Sequence, residues 1–241
     1  MSYKPIYNCI LLILSSDDLT IYNTFKNIWK KYMHKEPTIL SFFLQTNPNQ
    51  LEDINISNDT IIVKTNFGQN DLIDNTIVAL DYIRKNFNYN FILRTSISSF
   101  WILDRLSKEL NTIPKINIYA GLLSDSPQGQ QFVSGSGILL SKDIVDILIY
   151  SYNQHTDIKT HNHILNNAED LIIASILFSN GVKCINAFTR IDFVSETSID
   201  QLFLNLKKTD ATYATYFRLK SNIDRNTYDN IAVRYLYSEY Y

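Results

Sequence analysis

Phe91-Ile92-Leu93-Arg94-Thr95-Ser96-Ile97-Ser98-Ser99-Phe100-Trp101 reads as a buried strand ending in small polar residues before an apolar helix. Phe91 to Leu93 form the apolar run, and the preceding Asn86-Phe87-Asn88-Tyr89-Asn90 reads as a loop. Beyond Arg94, the hydroxyls of Thr95, Ser96, Ser98 and Ser99 stand at or near the carboxyl end of the strand, where open α/β sheets collect their ligands. The next helix is expected to begin near Ser98 or Ser99, either of which can cap it, and to bury Trp101, Leu103, Leu106 and Leu110. A strand end, hydroxyl donors and a helix amino terminus together suit a phosphate-bearing ligand; an ordinary capped turn is the plain alternative.

Upstream, Asn8 to Leu14 reads as a first buried strand closed by Ser15-Ser16-Asp17-Asp18, which would also cap the following helix. Leu19, Tyr22, Phe25, Ile28, Trp29 and Tyr32 recur at helical spacing up to about Met33. Asp17 and Asp18 could bind a metal, but acids at a helix start are favoured by the dipole alone. Thr38 to Leu44 and Thr60 to Lys64 read as further strands separated by a polar loop, with Lys64-Thr65-Asn66 at the end of the second. Leu72, Ile73, Thr76, Ile77, Leu80 and Ile83 mark a helix leading into the Phe91 strand. Apolar strands alternating with helices imply an α/β fold, with a mostly parallel sheet covered on both faces. The expectation is one domain, with residues 1–110 as a nucleotide-binding half and 111–241 as an acceptor-binding half.

Downstream, Ile116 to Tyr119 reads as a strand and residues 120–130, including Asp125, as a loop. Ser134-Gly135-Ser136-Gly137 then places two glycines around one serine in a chain with only 6 Gly, which suggests a backbone requirement or close approach of a ligand. Ser141 would cap a helix carrying Ile144, Val145, Leu148, Ile149 and Tyr152, followed by a polar loop from Asn153 to Asn167. In that loop, His161-Asn162-His163 could chelate a metal on a strand, although a solvated loop is the plainer reading. Glu169-Asp170 opens a nearly all-apolar helix that stops at Gly181, so both acids sit at the mouth of a buried helix. Val182 to Ile185 reads as a strand, Tyr213 to Lys220 alternates, and Asp224 to Tyr241 forms a tail helix with Tyr228, Ile231 and Tyr235 on one face.

With 45% hydrophobic and 19% charged residues among 241, the chain classes as globular. A net charge of -2 without a basic run argues against a nucleic-acid partner. Cys9 and Cys184 lie in apolar segments far apart, as buried reduced thiols would in a cytoplasmic protein. Ile10 to Leu14 is too short to span a bilayer, so neither a cleaved signal nor an integral membrane segment is expected.

The order of these pieces resembles GT-A-fold glycosyltransferases of the β-1,3-galactosyltransferase and Fringe type. Three segments carry the resemblance: the Phe91–Leu93 strand, where that family enters its acidic metal-binding triplet; Ser134-Gly135-Ser136-Gly137-Ile138-Leu139-Leu140-Ser141, similar to the family's glycine segment; and Glu169-Asp170-Leu171, similar to its Glu-Asp-Val. They span about Ile10 to Ile185, and the Asn-, Ile- and Tyr-rich style also resembles glycosyltransferases of large DNA viruses. Residence in a host cytoplasm or virion would follow if the chain is viral. The chain departs from the family at its triplet, where Arg94-Thr95-Ser96-Ile97-Ser98 replaces the Asp-x-Asp pattern, and hydroxyls are poor ligands for a divalent cation that prefers carboxylates. No His follows His163, where metal-dependent relatives often add one.

The resemblance implies an inverting transferase that moves a sugar from a UDP- or GDP-sugar donor to a glycan or other hydroxyl acceptor. It implies Asp170 as the base, with Glu169 as fallback, and Ser134, Gly135, Ser136 and Gly137 against the sugar or acceptor. No metal ligand is assigned and no cofactor is required, although Mn or Mg remains compatible with the family and Asp125 could substitute for a missing carboxylate. The departing diphosphate needs compensating charge. Arg94, Lys64, Arg218, Lys220 and Arg225 are the candidate cations, with Ser15, Ser16, Thr95, Ser96 and Ser98 as donor-side hydroxyls. Two other readings stand beside this one. A non-catalytic nucleotide-sugar or glycan-binding module would explain the lost triplet, whereas an α/β nucleotidyltransferase would need a phosphate loop, of which Ser15-Ser16-Asp17-Asp18 is a faint version.

Overall fold

The computed structural model describes residues 5–16, 19–64, 72–126, 129–154, 168–193, 198–208 and 213–241, apart from the side chains of 206–208. Its central strands are β1 (Ile6–Leu14), β2 (Ile39–Thr46), β4 (Thr60–Val63) and β5 (Asn88–Ser96). β1 pairs in parallel with β2 on one side and β5 on the other, and β2 in parallel with β4. Period-two alternation divides β1 between two cores, with Cys9, Leu11 and Ile13 facing one side and Ile10 and Leu12 the other. On the first side lie α1 (Thr20–Tyr32), α3 (Leu103–Leu110) and the tail helix α7 (Arg225–Tyr240). On the second lie α2 (Leu72–Asn86), α4 (Lys142–Gln154) and α5 (Glu169–Ser179). Both faces of the parallel strands are thereby covered, as their continuous apolarity requires.

Several short strands complete the sheet. β3 (Ile54–Ser57) forms a hairpin with β4 in the segment expected to be a polar loop. β7 (Tyr119–Gly121), β10 (Gly137–Ser141) and β11 (Ile185–Asn186) extend the other edge, giving the order β11-β7-β10-β5-β1-β2-β4-β3 among the described residues. The expected 120–130 loop holds β8 (Leu123–Asp125), which pairs with β9 (Gln131–Val133). Ser141 does not cap α4 through its side chain: its hydroxyl donates to Asp143 and accepts from the Ile118 amide. Residues 88–90, expected as loop, belong to β5, where Tyr89 is buried.

The largest departure follows β5. Residues Ser99–Trp101 are not a helix start but a strand, β6, and α3 begins only at Leu103, with Ile102 at its cap position and no side-chain cap. β6 joins β13 (Tyr216–Leu219) and β12 (Arg190–Phe193) in a small sheet of order β12-β13-β6. Both β12 and α6 (Ile199–Lys208) lie in a region for which no elements were expected. The small sheet is stitched to the ends of β1 and β5, with Ile97 N–H donating to Leu14 O and Leu219 N–H to Ser98 O. It carries Trp101 stacked on Tyr216, ring centres 4.0 Å apart and planes within 7°.

Two glycines make this junction possible. A Cβ on Gly137 would lie 2.6 Å from Cζ2 of the buried Trp101, and one on Gly121, at φ 153°, only 2.2 Å from the Gly137 carbonyl oxygen. Gly137→Ala must displace the indole from its stack and is expected to destabilise the fold by about 1–3 kcal/mol, read from urea denaturation. A loss below about 0.5 kcal/mol would mean the indole is not held as tightly as its contacts indicate.

Candidate active site

The Ser134–Gly137 turn links β9 to β10 and is closed by a Gly137 N–H bond to Ser134 O of 3.1 Å. It is held from two sides. On one side lies the start of α5, where Asp170 Oδ2 accepts from the Gly135 N–H at 2.9 Å and Oδ1 from the Leu171 N–H at 3.1 Å. Asp170 is half-buried and retains free lone pairs. On the other side lies β12. Arg190 Nη1 donates to Ser134 Oγ at 3.2 Å and Ser136 Oγ at 2.9 Å, while its Nε and Nη2 both donate to Asp192 Oδ2. Ser136 Oγ also lies 3.0 Å from the Tyr216 phenol oxygen. Burial pushes that phenol above its ordinary range, with Ser136 and Arg190 pulling it back, so it stays neutral.

Beneath the turn lies Arg94. Its Nε bonds Glu169 Oε1 at 3.2 Å, its Nη2 bonds Glu169 Oε2, and its Nη1 donates to Gly135 O. The Thr76 hydroxyl donates to Glu169 Oε1 at 2.6 Å. Burial lowers the Arg94 pKa to about 10, opposed by the charge of Asp170, and the side chain remains a cation at neutral pH.

These contacts correct several expectations. Arg94 is not the exposed strand-end cation expected for a donor diphosphate: its guanidinium is buried, and Nε, Nη1 and Nη2 each donate to Glu169 or Gly135. Glu169 is a poor fallback base, since it is buried and its two oxygens accept three hydrogen bonds from Arg94 and Thr76. Thr95 is not a free donor-side hydroxyl: it donates to Ser136 O at 2.6 Å and accepts from the Trp101 indole N–H at 2.8 Å. Arg225 is committed elsewhere, paired with Asp229 at 2.7 Å and bonded to Leu219 O and the Tyr22 hydroxyl. Cys9 is buried as expected, but Cys184 is only half-buried.

Four of the remaining donor-side candidates, Ser15, Ser16, Ser96 and Ser98, stand at the carboxyl ends of β1 and β5. Ser15 is 7% exposed and its hydroxyl has no hydrogen-bond partner among the described residues, an unusual state for a buried polar group. Ser16 beside it is half-buried. Ser96 and Ser98 place their hydroxyls 3.0 Å apart. On β13, Tyr216 and Arg218 alternate onto one face, with Lys220 just past the strand end; Arg218 is half-buried, without a side-chain partner among the described residues, and in register with Ser99 and Asp192. Lys220 is exposed. Lys64, at the end of β4, stands two strands out from β1, and Asp125 is exposed on β8. Asp17, Asp18, Thr65, Asn66, His161 and His163 lie outside the described residues.

The triplet position does not fit a divalent ion. Ser96 and Ser98 offer neutral hydroxyls bonded to each other, Ile97 between them is buried and apolar, and no group of three His, Cys, Asp or Glu gathers among the described residues. Thr76, Arg190, Asp192 and Tyr216 were not among the candidates. Alternation in Arg190-Ile191-Asp192-Phe193 is the period-two signal that could have exposed β12, whereas nothing local marks Thr76.

Layer order, mixed sheet and appended small sheet together make this a GT-A-like glycosyltransferase fold. A crystal structure of a glycosyltransferase involved in the glycosylation of the major capsid of PBCV-1 is similar to this chain with a TM-score of 0.52, over 94% of this chain and 99% of that one. The two are 13% identical, so the likeness is one of fold. No protein-family model matches the chain, and no curated protein sequence matches it. No helix among the described residues is long and apolar enough to cross a membrane.

Proposed function

We propose that this protein transfers a sugar from a nucleotide-sugar donor to a hydroxyl acceptor with inversion, without requiring a divalent ion at its triplet position. The observation that carries this reading is Asp170: a half-buried carboxylate with free lone pairs, held by Gly135 at a helix mouth in a glycosyltransferase fold. The acceptor oxygen attacks the anomeric carbon while the bond from that carbon to the diphosphate oxygen breaks. The electron pair leaves with the diphosphate, and the acceptor proton passes to Asp170. Charge on the leaving group is met by Arg218 and Lys220, with the hydroxyls of Ser96, Ser98 and Ser15 on the same side. The Fringe-type relationship suggested by the three motifs agrees with this assignment of Asp170, and the glycan acceptor is carried over from it.

Arg218→Ala is expected to raise the donor KM by about tenfold, the value of one charge-assisted contact, and Lys220→Ala to add a smaller increase. Steady-state kinetics on a panel of UDP- and GDP-sugars checks this. Unchanged KM in both variants would remove the two cations from the donor site.

The lost triplet also favours a second reading, a binding module that holds nucleotide sugar or glycan without turnover. Donor binding by calorimetry with no hydrolysis and no transfer would select it.

A further inference from the structure

We propose that Arg94 is a positioning residue: through the two peptides flanking Gly135 it sets the direction in which Asp170 presents its carboxylate. The inference rests on the reading above, in which Asp170 takes the acceptor proton. The contacts form a closed ring. Arg94 holds Glu169 with two nitrogens, Glu169 is bonded in sequence to Asp170, Asp170 accepts from Gly135 N–H, and Gly135 O accepts the third Arg94 nitrogen. Thr76 anchors the ring to α2 through Glu169. A glycine left to itself swivels about its Cα. Here the carbonyl side is fixed by a buried cation, so the N–H side has one direction in which to meet Asp170. A planar fork is needed, because one cation must reach a carboxylate and a carbonyl at once. The ring has no spare room either: a Cβ on Gly135 would fall 2.9 Å from Arg94 Nη1 and 3.1 Å from Asp170 Oδ2.

This role differs from simple stabilisation, and Arg94→Lys separates the two. Lysine keeps a charge opposite Glu169 but cannot reproduce the fork, so the protein is expected to fold while the Gly135 peptide is released.

The test uses the full chain labelled with 15N-glycine, whose 6 glycines give a countable amide spectrum. Gly135 is assigned by its loss in Gly135→Ala. Its amide signal is expected to move in Asp170→Asn and to move likewise in Arg94→Lys and Arg94→Gln, while Gly129 and Gly181, whose surroundings are open, stay in place. Hydrolysis of UDP-glucose, UDP-galactose and GDP-mannose is then measured in the same proteins. For any of these that wild type consumes, Arg94→Lys and Gly135→Ala should lose about 10- to 100-fold in kcat with donor KM unchanged, as a misdirected base requires. A folded Arg94→Lys protein with an unmoved Gly135 signal would overturn the proposal, as would one that shifts the signal yet keeps kcat. An Asp170→Asn protein at full rate would instead overturn the reading of Asp170 as base. If none of the three donors is consumed, the Gly135 signal alone decides whether Arg94 directs Asp170.

Discussion

Asp170→Asn is expected to lower kcat for sugar transfer by about 10²- to 10⁴-fold, the span attributed to general acid–base catalysis, while leaving donor affinity unchanged. The amide is nearly isosteric with the carboxylate, and its oxygen can still accept from Gly135 N–H, so the turn that closes the site keeps its shape. What the variant loses is the oxygen that takes the acceptor proton in the proposed mechanism. Among the described residues the nearest carboxylates are engaged elsewhere. Glu169 is buried and holds Arg94 and Thr76, and Asp192 is bonded to Arg190 on the far side of the turn. Parallel calorimetry of donor binding separates lost chemistry from lost binding. A variant at full rate would remove Asp170 from the mechanism.

Glu169→Ala should have the largest effect on stability, roughly 3–5 kcal/mol in urea denaturation, because it breaks a buried ion pair from one side. Arg94 would keep its charge, because a guanidinium is not deprotonated in proteins, and it would be left in the core with Gly135 O and the nearby charge of Asp170. Thr76 would lose its acceptor as well. The double variant Arg94→Met/Glu169→Gln should recover much of the loss, since removing both charges leaves no unpaired ion and glutamine still accepts from Thr76. If Glu169→Ala costs less than about 1 kcal/mol, the pair is not the buried link between α5 and β5 that its geometry indicates.

The pattern of what the sequence discloses follows the range of the interactions involved. β1, β2, β4 and β5 are legible because each is an apolar run in a sheet covered on both faces, α1, α2 and α4 because their buried positions recur at helical spacing, and α5 because a long apolar run opens on two acids and stops at Gly181. β6 is not legible. Ser99-Phe100-Trp101 next to a polar turn has the local look of a capped helix start, but its partners are Trp101↔Tyr216 and Ser99↔Arg218, more than a hundred residues away. The same cause misplaced Arg94. A cation at a strand end reads as a ligand contact until the carboxylate 75 residues further on is seen to occupy it. Arg190 lay beyond view because its serine partners are 54 and 56 residues distant. The Ser134–Gly137 turn and Glu169-Asp170 could be found because glycine in a glycine-poor chain and acids at an apolar helix mouth are local anomalies.

The central claim is sugar transfer by Asp170 with cationic side chains in place of a metal-binding triplet. Turnover of UDP- and GDP-sugars by the wild-type protein, measured in EDTA and again with manganese, tests it most directly. The account predicts that one donor is consumed at the same rate in both. Turnover that appears only with manganese, or a donor that binds and is never consumed, would contradict it.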